Sequence, residues 1–229
     1  MTEIDVRQRV LAANIAAARD LRTGFLRSRT LVVNLISSPG SGKTTLLEAT
    51  ARAWRNRYRL GALDGDIATE RDAERLRQSG IPARQILTGG ACHLDARQVE
   101  KALVEEGSRL SDLDILLIEN VGNLICPTSY DLGEDFKIAL LSVTEGDDKP
   151  FKYPAIFARA SATVITKSDL LPHVEFDLAA VREQIATLNP AGRLLVTSAR
   201  SGEGMDGWFA LLESELEAKK AAGAAVLAT

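Results

Sequence analysis

The sequence has 229 residues, of which 45% are hydrophobic and 26% charged, and its formal net charge is −3. This balance argues against nucleic acid or an anionic membrane as a partner, because both select basic surfaces. No apolar run approaches the roughly 18 residues of a membrane span, and the N-terminus has no apolar signal core. We expect a cytoplasmic protein in which Cys92 and Cys126 are thiols rather than a disulfide.

In chain order, an Ala- and Arg-rich segment over residues 4–27 predicts a helix. Short β-branched runs then alternate with helical patterns. The predicted strands are 31–36, 59–63, 83–87, 114–118, 138–143, 163–166 and 193–197. The predicted helices between and after them are 44–55, 69–78, 95–105, 176–188 and 205–217. The chain is thus expected to divide into an N-terminal helix (1–28), a nucleotide-binding domain (29–217) and a flexible Ala-rich tail (218–229).

Two predicted strands are continuously apolar, at residues 31–33 and 115–118, which is typical of strands covered on both faces. Strand–helix alternation with such strands predicts the α/β class, with a mainly parallel, doubly covered sheet of about seven strands. In that architecture ligands bind at the carboxyl ends of the strands. The motifs described below all fall at such ends.

A Gly-rich turn follows the first predicted strand and opens a helix with Lys43 and Thr44. Strand, Gly-rich loop, Lys-Thr and helix in this order predict a P-loop NTPase fold. The loop's backbone N–H groups would cradle phosphates, Lys43 would reach the β- and γ-phosphates, and Thr44 would hold Mg²⁺. Ser37 stands where the usual eight-residue pattern begins with Gly, and an ordinary strand–turn–helix loop is the alternative. The predicted nucleotide-binding residues here are Pro39, Gly40, Ser41, Gly42, Lys43, Thr44 and Thr45.

A carboxylate at a neighbouring strand end is expected to give Mg²⁺ a second contact. Asp64 and Asp66 follow one apolar strand and Glu119 follows another, and capping of the next helix is the alternative role for these acids. Gly122, three residues after Glu119, is placed to sense the γ-phosphate through its amide. We expect Thr44, Asp66 and Glu119 to hold Mg²⁺. The predicted catalytic set is Lys43, Thr44, Asp66 and Glu119.

The base is predicted from Lys167 and Asp169, a Lys-x-Asp that follows a strand. The Asp carboxylate accepts from guanine N1–H and the 2-amino group, a donor pair that adenine lacks, so the spacing favours GTP and GDP. Thr166 stands where Asn is usual, which is expected to weaken one contact to the phosphate loop. Ser198 and Ala199 end a later strand, where a backbone amide can meet guanine O6.

A second cluster of functional groups is predicted from Cys92, His93 and Cys126, which lie on loops at strand ends. Thiolates and an imidazole suit Ni²⁺ or Zn²⁺ better than Mg²⁺. Three ligands leave a four-coordinate shell incomplete, and a symmetric dimer could complete it by pooling two sets. Two buried thiols and a solvated histidine are the alternative.

Taken together, these residues resemble the HypB family of metal-handling P-loop GTPases. The resemblance covers residues 30–217, and the adjacent Cys92-His93 favours HypB over the urease accessory GTPases, whose motif is Cys-Pro-His. Its distinctive segments are Ser37–Thr45, Gly65–Thr69, Cys92–Asp95 and Glu119–Leu124. Residues 1–30 contain neither Cys nor His, so the N-terminal nickel site of some members is missing from them.

The resemblance implies a homodimer that depends on nucleotide and metal, with Cys92, His93 and Cys126 at its interface. It also implies that GTP hydrolysis regulates nickel delivery to a hydrogenase large-subunit precursor, together with a companion nickel-insertion protein. We expect slow intrinsic hydrolysis, because no Gln or Arg is placed by sequence as a catalytic residue. Two alternatives are a nickel carrier or scaffold with GTP as a binding switch, and a small-molecule kinase.

Overall fold

The computed structural model describes residues 3–66, 70–110 and 112–227. Its sheet has seven strands in the order β3-β2-β4-β1-β5-β6-β7, and every neighbouring pair is parallel. This confirms the predicted α/β class. The strands are β1 (Leu31–Ile36), β2 (Leu60–Asp66), β3 (Ala83–Leu87), β4 (Ile115–Glu119), β5 (Phe136–Ser142), β6 (Ala162–Thr166) and β7 (Arg193–Val196).

Helices cover both faces of the sheet. One face carries α2, α3 and α8, whose apolar side chains pack with those of β1 and β4. The other face carries α1 and α4, with α6 and α7 farther along the sheet. The helices are α1 (Glu3–Ser28), α2 (Lys43–Ala53), α3 (Arg71–Gln78), α4 (Ala96–Glu106), α5 (Lys149–Lys152), α6 (Pro154–Arg159), α7 (Leu178–Leu188) and α8 (Met205–Leu227).

The strand order positions the site. The chain moves outward from β1 to β2 on one side and from β5 to β7 on the other, so the connections diverge next to β1. In doubly wound sheets this divergence opens a crevice at the carboxyl end of the strands. The loops after β1, β2 and β4 meet there, and they carry the predicted phosphate and Mg²⁺ residues.

The predicted helices are confirmed to within two residues at most ends, but α5 and α6 were missed. Both are short, with four and six residues, and each has Pro at its first or second position. Sequence periodicity needs a longer window than that to register a helix. The prediction for residues 67–69, part of the third predicted helix and of the Gly65–Thr69 motif, lies outside the described residues.

The Ala-rich segment from residue 218 is predicted as a flexible tail, either frayed helix or disorder, and the structure describes it as the end of α8 as far as Leu227. Lys219 is buried and donates to Asp135 at 2.6 Å, and Lys220 donates to Asp114 at 2.8 Å. These ion pairs dock the end of α8 on the loops before β4 and β5. The division into domains stays a prediction.

The N-terminal helix α1 packs against the sheet domain through the buried Asn14. Its Nδ2 donates to the carbonyl of Asp131 at 2.9 Å, and its Oδ1 accepts from the N–H of Ala96 at 2.8 Å. Asn14 therefore satisfies an N–H of the first turn of α4, a group that has no partner inside its own helix. Among the described helices, none combines the length and apolar character needed to cross a membrane.

Candidate functional site

The loop between β1 and α2 has the backbone geometry expected of a phosphate loop. Gly40 and Gly42 have φ angles of 75° and 90°, a region that a Cβ strongly disfavours. Gly42 immediately precedes α2, so the N–H groups of the first helical turn face the loop. A helix N-terminus of this kind favours an anion.

Lys43 is buried and donates from Nζ to Ser37 Oγ at 2.7 Å. Ser41 Oγ also donates to Ser37 Oγ, and Ser37 itself is fully buried. Ser37, the departure from the usual Gly, therefore gives the Lys43 ammonium an acceptor within the loop. The same ammonium lies 4.0 Å from Glu119 Oε1, so it stands between the phosphate loop and the end of β4.

Thr44, Asp64 and Glu119 form a buried cluster beside the loop. Thr44 Oγ1 donates to Glu119 Oε1 and Oε2 at 3.1 and 3.2 Å. Asp64 lies directly opposite Glu119 in the pairing of β2 with β4. Asp64 Oδ2 is buried and finds no hydrogen-bond partner within the described part of the chain.

Electrostatics within this cluster favour a cation. Burial raises the pKa of Glu119 to about 8, although the nearby Lys43 charge opposes the shift. Burial also raises the pKa of Asp64 to about 7, and repulsion from Asp72 and Asp66 adds to it. Carboxylates this poorly solvated, with an unpartnered oxygen, offer the hard oxygen ligands that Mg²⁺ prefers. The residues present therefore fit a magnesium ion.

The structure adds Asp64 to the predicted Mg²⁺ residues. Asp66 was preferred from the sequence, with Asp64 as the alternative. Both side chains point to the face of β2 that carries α2, since residues two apart share a face. Asp64 is buried next to Glu119, whereas Asp66 is partly exposed at the end of the strand. Either position allows a contact to an ion at Thr44, and the assignment of Asp66 stays a prediction.

A cavity of about 440 Å³ lies over the phosphate loop and these acids, and Arg75 and Asp72 of α3 line it as well. No Arg was predicted near the phosphates. Arg75 donates to both carboxylate oxygens of Glu48, at 3.0 and 2.9 Å, and to Asp72 at 3.1 Å. Only the packing of α3 on α2 brings this guanidinium to the cavity, so no local signal marks it.

Gly122 lies against the phosphate loop. A Cβ built on Gly122 would lie 2.7 Å from Pro39 Cγ and 2.9 Å from the Pro39 backbone nitrogen. The loop after β4 therefore packs on the phosphate loop so closely that a side chain has no room. If one of these loops moves, the other is therefore expected to shift as well.

We expect Gly122→Ala to displace Pro39 at a cost of about 1–3 kcal/mol and to weaken binding of a GTP analogue about tenfold. Nucleotide affinity, measured by titration with a fluorescent analogue, checks this. Gly24→Ala is the matched control, because a Cβ at Gly24 in α1 meets nothing within 4 Å. Equal nucleotide affinities of the two variants would contradict the packing argument.

The predicted base-reading residues line one cavity of about 210 Å³, together with Gly42 and Thr45. Ser198 Oγ donates to Asp169 Oδ1 at 2.6 Å and so orients the carboxylate. Lys167 Nζ donates to the carbonyl of Gly40 at 2.8 Å. Ala199 lies in the same lining. Lys167, Asp169, Ser198 and Ala199 thus meet at one pocket.

Thr166 keeps the contact that was expected to weaken. Its buried Oγ1 donates to the carbonyl of Ser41 at 2.6 Å, which ties the end of β6 to the phosphate loop. A hydroxyl is shorter than the usual Asn amide, but the strand approaches closely enough for it to reach the loop carbonyl. The base pocket and the phosphate loop are therefore held together without Asn.

Asp169→Asn is expected to lower affinity for GDP about 100-fold, because one of the two guanine donors then faces an amide N–H. The same amide matches the 2-oxo group of xanthine, so affinity for XDP should rise. Calorimetric titration with GDP and with XDP measures the two affinities. Asp206→Asn, an exposed residue in the first turn of α8, serves as the control. Unchanged preference for GDP would contradict the role of Asp169.

Cys92, His93 and Cys126 come together in the structure. One ligand atom from each, the two Sγ atoms and a ring nitrogen, lies within 4.8 Å of the others. Both cysteines are free thiols, Cys92 exposed and Cys126 partly exposed, so the alternative of two buried thiols does not match. A hydrogen bond with Cys126 raises the pKa of the Cys92 thiol. Burial lowers the pKa of His93, which favours the neutral imidazole that binds metals.

Tyr130 supports this cluster and was not predicted from the sequence. Its ring stacks on His93 with ring centroids 3.7 Å apart and an interplanar angle of 31°. Cys126 opens a single 3-10 turn, Cys126–Ser129, and Tyr130 follows it directly. The turn therefore brings a thiol and a stacking ring to the same histidine.

The fold and the phosphate loop define a nucleotide-binding protein of the P-loop class, and a Cys-His-Cys cluster adjoins its nucleotide site. Residues 31–196 match the family described as "CobW/HypB/UreG, nucleotide-binding domain". The hydrogenase maturation factor HypB of Azotobacter vinelandii is 47% identical over 212 residues, which are 92% of this chain and 69% of that protein.

Two solved structures are similar over most of the chain. HypB from Helicobacter pylori in complex with nickel has a TM-score of 0.83 at 40% identity, over 91% of this chain and 95% of that one. HypB from Archaeoglobus fulgidus has a TM-score of 0.83 at 40% identity, over 90% of this chain and 100% of that one. The chain belongs to the CobW/HypB/UreG family and, within it, to HypB.

Proposed function

We propose that this protein is a GTPase that binds nickel and whose GTP cycle controls nickel delivery during maturation of a NiFe-hydrogenase large subunit. One observation carries the proposal. The segment that starts at Glu119, the last residue of β4, lies beside Thr44, packs on the phosphate loop at Gly122, and reaches the Cys-His-Cys cluster at Cys126. Its relatives are named hydrogenase maturation factors, which supports a role in the maturation of a hydrogenase.

In the proposed nucleotide site, residues 39–45 bind the phosphates, and Lys43 leaves Ser37 to neutralise the β- and γ-phosphates. Asp169 reads guanine, with Lys167, Ser198 and Ala199 around the base. Thr44 and Glu119, with Asp66 or Asp64, would hold Mg²⁺, which when bound offsets the charge that develops on the transferred phosphoryl group. The residues proposed to act in hydrolysis are Lys43, Thr44, Asp66 and Glu119.

In the proposed metal site, Ni²⁺ is the cargo, and Zn²⁺ suits the same ligands. Cys92, His93 and Cys126 supply three ligands, and a second copy of the chain would complete the shell. The exposure of Cys92 and of the apolar Ile125 beside Cys126 supports contact with a second copy at this surface. We therefore propose a homodimer that depends on nucleotide and metal.

The further partners in this proposal are a companion nickel-insertion protein and the hydrogenase large-subunit precursor. Neither nucleic acid nor a membrane is proposed as a partner, in keeping with the net charge of −3. We place the protein in the cytoplasm, where reduced thiols persist and Cys92 and Cys126 stay available as ligands.

The test measures Ni²⁺ affinity with GDP bound and with a non-hydrolysable GTP analogue bound. Sites coupled through a two-state loop differ in affinity by about 5- to 150-fold between states, and we expect a difference in this range. By linkage, adding Ni²⁺ must change the ratio of GTP-analogue affinity to GDP affinity by the same factor. Equal Ni²⁺ affinities in the two states would overturn the proposed control of nickel by GTP.

A further inference from the structure

The metal ligands lie on two loops that are far apart in sequence. Cys92 and His93 follow β3, whereas Cys126 lies on the loop after β4. Gly122, on the second of these loops, packs on the phosphate loop. A nucleotide-driven movement at Gly122 would therefore shift Cys126 directly, and the Cys92 loop would follow through the contacts that join it to the loop after β4.

Two asparagine side chains connect these loops. Asn120 Oδ1 accepts from the N–H of Leu94 at 3.3 Å, and Asn123 Nδ2 donates to the carbonyl of Cys92 at 3.2 Å. Both asparagines belong to the loop after β4, and both partners are backbone groups of the Cys92 loop. The metal-bearing loops are thus joined on either side of His93.

Asn120 is the fixed connection. It is buried, its Nδ2 donates to Asn34 Oδ1 on β1 at 3.2 Å, and its backbone N–H donates to the carbonyl of Leu35 at 3.0 Å. These bonds hold Asn120 to the central strand of the sheet. A residue tied to the sheet in this way is expected to stay in place, and to keep Leu94 with it, when the loop beyond it moves.

Asn123 is the connection able to move. It is partly exposed, it directly follows Gly122, and its Oδ1 accepts from the N–H of Ile125 at 2.8 Å to form a tight turn. The side-chain amide of Asn123 therefore stabilises the turn that leads to Cys126 and also donates a hydrogen bond to the backbone of Cys92. A displacement at Gly122 would thus reach Cys126 along the backbone and Cys92 through this side chain.

We infer that Asn123 is the positioning residue that transmits nucleotide state from Gly122 to Cys92, with Asn120 as the pivot. The inference rests on the proposed coupling of GTP and nickel and names the residue responsible for it. When the loop after β4 moves, Asn123 carries the Cys92 carbonyl with it. Cys92 and Cys126 then change their spacing together while Leu94 stays anchored.

Asn123→Ser is the variant that tests this. The serine hydroxyl can still accept from the Ile125 N–H and keep the turn, but it ends about one bond short of the Cys92 carbonyl. Asn189→Ser is the matched control, since Asn189 Nδ2 donates to the Ala160 carbonyl at 2.8 Å, a bond of the same kind outside both sites. Full-length wild type and both variants are titrated with Ni²⁺ in the GDP-bound and analogue-bound states.

We expect the ratio of the two Ni²⁺ affinities, about tenfold in a typical coupled protein, to fall below about twofold in Asn123→Ser. Nucleotide affinity should stay within about twofold of wild type, and Asn189→Ser should keep the full ratio. If Asn123→Ser kept the same ratio of Ni²⁺ affinities as the wild type, the role of Asn123 would be overturned and the proposed function would remain intact. If the wild-type protein bound Ni²⁺ equally well in both nucleotide states, the coupling itself would be overturned, and this inference with it.

Discussion

Lys43→Ala is expected to lower the rate constant of GTP hydrolysis about 100- to 1,000-fold, the usual loss when one preorganised charge at a transition state is removed. The Lys43 ammonium is buried within the phosphate loop, donates to Ser37 and lies 4.0 Å from Glu119. Alanine leaves the buried Glu119 without this neighbouring cation. Single-turnover release of phosphate from GTP measures the loss.

The metal cluster is expected to survive this change, because Lys43 lies in the other site. Isolated Lys43→Ala should still bind Ni²⁺, whereas cells that carry it as their only copy should fail to produce active hydrogenase. Lys152→Ala is the control, since Lys152 is exposed on α5 and pairs with Asp148, the residue just before that helix. Hydrogenase activity that persists without GTP hydrolysis would instead favour the carrier or scaffold, in which GTP acts only by binding.

His93→Ala should weaken Ni²⁺ binding about 100-fold or more. Changes in the residues that merely support a metal ligand cost about 10- to 100-fold in affinity, and removal of a ligand itself costs at least as much. The expectation follows from the convergence of Cys92, His93 and Cys126 within 4.8 Å. Competition against a chelator of known affinity gives the dissociation constant, and the thiolate absorption band reports whether the cysteines still bind.

The chain provides a matched control, because it contains two histidines. His173 is exposed at the end of the 3-10 turn Ser168–His173 and outside the cluster, so His173→Ala should bind Ni²⁺ as wild type does. Cys92→Ala and Cys126→Ala should resemble His93→Ala. If His93→Ala and His173→Ala bound Ni²⁺ equally well, the proposed metal site would be wrong.

His93→Ala should leave the nucleotide site unchanged. The imidazole stacks on the ring of Tyr130 at 3.7 Å between centroids, and no ring contact or hydrogen bond between His93 and the phosphate loop is found among the described residues. GTP hydrolysis by His93→Ala is therefore expected to stay close to wild type in the absence of metal.

Much of the fold and of the nucleotide site could be predicted because their signals are local. The apolar runs of β1 and β4 follow from burial on both faces of a parallel sheet. Gly40 and Gly42 are marked by a backbone geometry that glycine alone adopts readily. Lys43 and Thr44 then follow from their fixed place at the start of a helix. Such features depend on a few consecutive residues. They can therefore be recognised in the sequence without knowing which segments pack against them.

Other features depend on segments that meet only after folding. Arg75 reaches the phosphate cavity because α3 packs on α2, and the end of α8 docks on the loop before β5 because Lys219 pairs with Asp135, 84 residues away. Neither contact leaves a trace in the local pattern. These contacts are stabilised by residues distant in sequence, and the local pattern of apolar residues carries no information about them.

By itself, the sequence determined the parallel α/β sheet and the chemistry available at the ends of its strands. It could name Cys92, His93 and Cys126 as soft ligands, because that property belongs to each side chain alone. The tertiary structure decided that these ligands converge, that Asp64 lies buried against Glu119, and that Asn123 joins the two metal-bearing loops. Convergence is a matter of distance between separate segments, and the register of the sheet and the packing of its loops set that distance.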